Sequence, residues 1–176
     1  MNFIQPYDFN INIGKAYNEA CDPLYGWICI TDQDTLKFDG FAQKVKQITE
    51  IADKTQVITC MTNRLRKDNI NVVQELYDES DINIHLNKYN ALWDEYGTTL
   101  ERTKMPIAGV FMLFHKTVWD TVKFRENDPT FDGAFSVDIR RAGFTTWTAK
   151  GLYIFHLYRW GRDVSNTKHL FPLKYL

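Results

Sequence analysis

Residues 29–38, CITDQDTLKF, close an apolar run with two aspartates one residue apart, Asp32 and Asp34. Carboxylate oxygens are hard ligands that suit Mg²⁺ or Mn²⁺, cations that usually complete their shell with water and phosphate oxygens. The same pair is what an acidic turn capping the next helix would show. Chance supplies about one Asp-x-Asp in a chain of this composition, so spacing alone does not decide. A catalytic site needs a third ligand and a group that can move a proton. His156 is the candidate third ligand, because it ends a second apolar run as Asp32 ends the first. The competing reading is a histidine bonded to a backbone carbonyl at a strand end. Asp132 is the candidate general base, since a carboxylate within reach of an acceptor hydroxyl can take its proton. A place at a helix start, where the dipole favours a negative charge, also explains Asp132. Asp138 precedes Arg141 by three residues and reads as half of a surface ion pair. His85, His115 and His169 lie at segment ends or in the tail, and none follows a strand as cleanly.

The elements that must position these groups follow from periodicity. A helix is expected over about 14–21, opened by the Asn-rich FNINIG, whose free backbone N–H groups could face an anion. GWICIT, 26–31, is a short β-branched run expected as a strand buried on both faces. Phe41, Val45, Ile48 and Ile51 recur at helical spacing, which predicts an amphipathic helix over about 39–53. QVITCM, 56–61, is the next strand, and strand–helix–strand implies a parallel pair with a right-handed crossover. Residues 63–81 are polar and read as loops with some helix. NKYNALWDEYG is expected to be helical and to stop at Gly97. In the second half, 106–114 reads as a strand interrupted by Gly109, and KTVWDTVKF as a short helix with Thr117 as N-cap. A helix over 132–142 precedes Gly143, and TTWTA and LYIFH read as two strands, the latter ending at His156. Alternating strands and helices give an α/β sheet, whose ligand edge lies beyond the strand C-termini.

Composition limits the classes. The chain has 176 residues, enough for a single domain with a substantial core. Hydrophobic residues make up 44% and aromatic residues 15%, which excludes a disordered chain. A formal net charge of −1 provides no global field toward nucleic acid or anionic lipid. No apolar stretch approaches the roughly 18 residues of a membrane span, and MNFIQPYDFN lacks the pattern of a signal peptide. Three cysteines, Cys21, Cys29 and Cys60, are odd in number; the last two lie in apolar runs. A reduced, cytoplasmic protein is the expectation.

Three segments, in order, resemble family 2 glycosyltransferases. NIGKAYNEACDPLYGWICITDQDTL is similar to the stretch in which Asn-x-Gly-x-Ala-x-Asn opens a helix before a strand ending in Asp-x-Asp. AGVFMLFHKTVWDTVKFREN resembles the acceptor-side segment. FDGAFSVDIRRAGFTTWTAKGLYIFH resembles the closing segment, in which a helix ending in Arg-Ala-Gly leads to a strand ending in His. The resemblance spans Asn12 to His156. It implies a GT-A-like (Rossmann-like) fold with a mixed, mainly parallel sheet flanked by helices. It implies transfer of a sugar from a nucleoside-diphosphate sugar to a saccharide or other hydroxyl acceptor, with Mn²⁺ or Mg²⁺. Asp32, Asp34 and His156 would then hold the metal, and Asp132 would act as base, with inversion the preferred outcome. Asn12, Gly14, Asn18 and Gly109 would line the donor side, and Arg159 and Trp160 would close over the diphosphate.

The chain departs from that pattern at Tyr17, where the family usually has Arg, and at Phe131-Asp132, where it usually has Glu-Asp. The eleven residues before Asn12 allow one strand but no full βαβ unit, so an N-terminally abbreviated fold is expected. That leaves a second reading, a non-catalytic or partner-dependent remnant of such a domain. A homodimer that covers the exposed sheet edge is the expected form of partnership.

Overall fold

The computed structural model describes residues 1–6, 12–65 and 71–157. Among these, seven strands form one sheet: β1 (Asn2–Ile4), β2 (Trp27–Thr31), β3 (Thr35–Leu36), β4 (Gln56–Thr62), β5 (Leu100–Thr103), β6 (Phe111–His115) and β7 (Thr145–His156). The spatial order is β1-β2-β6-β4-β7-β3, with β5 also paired to β7. Five α-helices flank it: α1 (Ile13–Cys21), α2 (Phe41–Ile51), α3 (Ile82–Tyr96), α4 (Lys116–Thr121) and α5 (Phe131–Arg141). Side chains alternate across the sheet, as a two-residue period requires. Cys29, Ile58 and Leu113 face the side with Phe41, Val45 and Ile48 of α2 and Tyr89 of α3. Ile28, Ile30, Val57 and Phe114 face Tyr17 of α1, Trp119 of α4 and Phe135 of α5. No helix among the described residues is long and apolar enough to cross a membrane.

The sheet is mixed, and the expectation of a mainly parallel one is corrected. Only β1–β2 and β4–β7 pair in parallel. The pairs β2–β6, β4–β6, β3–β7 and β5–β7 are antiparallel. The parallel pair expected from strand–helix–strand does not form directly, because β6 lies between β2 and β4. The reason lies in residues 104–110, the last five of which, 106–110, read from sequence as the start of a strand. Thr103 pairs with Thr146 near the beginning of β7, whereas Phe111 pairs with Thr31 at the end of β2. The intervening segment therefore climbs the height of the sheet outside any strand. It is anchored by Ile107 N–H donating to Ser136 Oγ at 2.8 Å, and β6 then runs back down.

TTWTA and LYIFH are not separate strands but one, β7, of 12 residues. Along β4 the register moves from Cys60↔Ala149 to Met61↔Tyr153, so residues 150–152 form a bulge. Gly151 is needed there: a Cβ would stand 2.1 Å from the carbonyl oxygen of Gly97. Beyond the bulge Thr62 pairs with Ile154, which carries His156 just past the end of β4. His115, not Thr117, caps α4, with Nδ1 accepting from Thr117 N–H.

Candidate metal centre

Asp32 and His156 end strands that are separated by β6 and β4, so strand ends alone would leave them about three strand spacings, ~14 Å, apart. The turn after β2 removes that distance. It crosses the sheet edge and docks as β3 on the far strand, with Thr35 opposite His156 and Leu36 opposite Phe155. Leu157 N–H donates to the carbonyl of Asp34 at 2.7 Å, which fixes one end of the crossing. The other end is the carbonyl of Asp32, which accepts from Thr35 Oγ1 at 2.6 Å and Gln5 Nε2 at 3.1 Å. Ligand atoms of Asp32, Asp34 and His156 consequently lie within 4.8 Å of one another. Two carboxylates and an imidazole in this span are a donor set for a small divalent cation.

His156 is held from two sides. Its backbone N–H donates to Asn63 Oδ1 at 2.9 Å, and its carbonyl accepts from Asn63 Nδ2 at 3.3 Å. Asn63, fully buried, thus prolongs the β4–β7 ladder with a side chain. The ring's Nδ1 lies 2.6 Å from the carbonyl oxygen of Arg64, so Nδ1 carries the proton. Nε2 faces Asp34, 3.3 Å from Oδ1. A donor on the far nitrogen is the arrangement that orients a ligating histidine. Arg64 in turn is fixed by its guanidinium, which donates to the carbonyls of Tyr77 and Glu79 and to Ser80 Oγ.

Burial disfavours the imidazolium of His156, but the hydrogen bond and charge of Asp34 outweigh it, and its pKa lies above the usual imidazole value. The Asp34 carboxyl, half-exposed, is raised by burial yet ends below its usual value because His156 bonds and faces it. Asp32 lies deeper. Burial pushes its pKa up, more than the His156 charge and the Tyr17 hydroxyl lower it.

Asp132 stands beside the cluster through Gly109. Gly109 N–H donates to Asp132 Oδ2 at 3.1 Å, and a Cβ on Gly109 would lie 3.2 Å from Asp32 Oδ1. Glycine thus lets the acidic turn pass over the start of β6. Asp132 Oδ1 accepts from Gly133 N–H at 2.7 Å, and burial raises its pKa despite both bonds. A cleft of about 430 Å³ is lined by Phe3, Gln5, Thr31, Lys37, Phe38 and Gly40 among others, and by none of Asp32, Asp34, His156 and Asp132.

The remaining sequence-derived candidates divide. Asn12 caps α1, accepting from Lys15 N–H, and also exchanges hydrogen bonds with Asn127. Gly14 lies against the backbone of Arg125, where a Cβ would meet the carbonyl oxygen at 2.0 Å. Asn18 Oδ1 accepts from Trp119 Nε1 and Phe124 N–H, and its Nδ2 donates to the carbonyl of Phe124. These three, expected on the donor side, tie α1 to residues 119–127. Asp138, expected to pair with Arg141, is held more closely by Arg125, which donates from Nε at 2.8 Å and Nη2 at 2.9 Å. Arg159 and Trp160 lie outside the described residues. Sequence reasoning missed Asn63 and Arg64, which sat in a polar stretch with no motif, and Gln5. The signal for Asn63 was its place directly after an apolar strand.

No family model and no curated protein matches the chain. A solved structure described as that of a mycobacterial protein aligns with 88% of this chain and 46% of its own, with a TM-score of 0.50 and 15% identity. The chain spans about half the length of that structure, and a likeness at this identity concerns the α/β fold alone.

Proposed function

We propose that the protein is a metal-dependent glycosyltransferase that moves a sugar from a nucleoside-diphosphate donor to an acceptor hydroxyl, in a GT-A-like arrangement. The observation that carries this reading is the convergence of Asp32, Asp34 and His156, with Asp132 one glycine away. Asp32, Asp34 and His156 would hold Mn²⁺ or Mg²⁺, which supplies Lewis-acid neutralisation of charge on the leaving diphosphate. Asp132 takes the proton of the acceptor hydroxyl as its oxygen bonds the anomeric carbon and the bond from that carbon to the diphosphate breaks. Each Asp132 oxygen already accepts one backbone N–H, which holds the carboxylate in place and leaves lone pairs for the incoming proton. Burial raises its basicity for the same step. A single base and a single displacement give inversion. A cleft lined by Thr31 and Lys37, which flank the acidic turn, is within the usual size of small-molecule pockets and would have room for part of the donor.

The test is thermal stability with Mn²⁺, with and without UDP-, GDP- and dTDP-sugars. One donor is expected to raise Tm only when the cation is present, and Asp34→Ala is expected to abolish the rise. Release of nucleoside diphosphate in the presence of acceptor then reports transfer. Cation binding without any nucleotide response would overturn this reading in favour of a non-catalytic module that keeps the metal centre.

A further inference from the structure

The hydroxyl of Tyr17 touches the metal centre, yet the chemistry proposed above does not use it. Tyr17 lies in α1 and is 1% exposed. Its ring is gripped edge-on by Phe124 and Phe131, with centroids 5.1 Å away in both cases and interplanar angles of 87° and 77°. A clamped ring leaves the hydroxyl one direction, and that direction ends on Asp32 Oδ1 at 3.0 Å. The carboxylate also lies against Gly109, where a Cβ would stand 3.2 Å from Oδ1 and 3.6 Å from Oδ2. What distinguishes the two oxygens is the Tyr17 hydroxyl, which donates to Oδ1. The hydroxyl takes one lone pair of Oδ1 and draws charge from it, so a cation meets the stronger donor in Oδ2 and binding through both oxygens is disfavoured.

Coordination preference follows from that restriction. Mg²⁺ and Mn²⁺ are content with one oxygen from each carboxylate in a six-ligand shell. Ca²⁺ seeks roughly six to eight oxygens at longer distance and gains from carboxylates that bind through both. We infer that Tyr17 is a positioning residue that holds Asp32 to one-oxygen coordination and thereby selects small six-coordinate divalent cations over Ca²⁺. This rests on the metal-dependent reading above. It concerns a residue at which the chain departs from the glycosyltransferase pattern, Tyr in place of Arg.

Calorimetric titration of the full chain with MnCl₂ and with CaCl₂ tests it. The wild type is expected to prefer Mn²⁺ by about tenfold or more. Tyr17→Phe keeps the ring and its packing, and is expected to narrow that preference about fivefold, mainly through tighter Ca²⁺ binding. Phe124→Leu keeps the hydroxyl but loosens the clamp, and is expected to narrow the preference in the same direction. It carries the test if Tyr17→Phe fails to fold. A ratio unchanged within about twofold in both variants would overturn the assignment. So would a parallel loss of both cations, which a packing role alone would produce. Failure of the wild type to bind either cation would instead sink the metal reading, and this inference with it.

Discussion

His156 is pulled in opposite directions by its surroundings, and the balance makes a proton and a cation competitors for one nitrogen. Arg64's carbonyl holds the proton on Nδ1, so Nε2 meets either a proton shared with Asp34 or a metal ion. Because Asp34 raises the His156 pKa above the ordinary value near 6.5, the proton competes to higher pH than it would at an ordinary imidazole. Apparent Mn²⁺ affinity is expected to rise by about tenfold per pH unit up to that raised pKa and then level off. Calorimetry between pH 5.5 and 8.5 in buffers of different ionisation enthalpy reads both the slope and the released proton. A flat profile would remove His156 from the ligand set.

At the scale of elements, the two-residue strand β3 decides whether a site exists. It is short, and its value lies in where it docks: without its pairing to β7, Asp34 would have no reason to meet His156. Thr35 Oγ1 locks the turn by donating to the carbonyl of Asp32. Thr35→Val keeps the shape and the β-branched preference for strand but removes that bond. A loss of about 1 kcal/mol in denaturant stability is expected, together with a larger, several-fold weakening of Mn²⁺ binding. If cation affinity fell no further than overall stability, the turn would not be what presents the aspartates. Gly109 and Gly151 serve the same end from the backbone side. One lets the turn cross β6, and the other lets the bulged β7 pass Gly97.

For the molecule as a whole, the Asp34–His156 pair links stability to pH in the cation-free protein. The folded pKa of His156 is raised, so its contribution is complete below the unfolded imidazole value and is lost as pH rises through the folded one. The folded pKa of Asp34 is lowered, so its contribution is complete above 3.8 and is lost as pH falls through the folded value. Stability from the pair is thus greatest between the two. Tm of wild type minus Tm of His156→Gln, followed from pH 3 to 9, is expected to peak in mildly acidic solution and shrink on both sides. Added Mn²⁺ is expected to reverse the alkaline decline, because the cation takes the place of the proton. A difference that does not vary with pH would separate His156 from this coupling.

The sequence by itself determined the local facts. The continuous apolar run through Ile28, Cys29 and Ile30 made a strand, the spacing of Phe41, Val45 and Ile48 made a helix, and the types of Asp32, Asp34 and His156 named a donor set before any geometry was known. Such features depend on neighbours within a few residues, which period and side-chain chemistry report. What the sequence could not decide was how segments far apart in the chain meet. It predicted a direct β2–β4 pair, whereas β6 enters between them in the opposite direction. It brought Asp32 and His156 together through strand ends, whereas the β3 crossing does so. It placed Asn12, Gly14 and Asn18 on the donor side from local pattern, and only the fold shows that the same three residues join α1 to residues 119–127. Strand order and register are set by which apolar faces bury together and which backbone groups find partners, and these are properties of the whole packed chain.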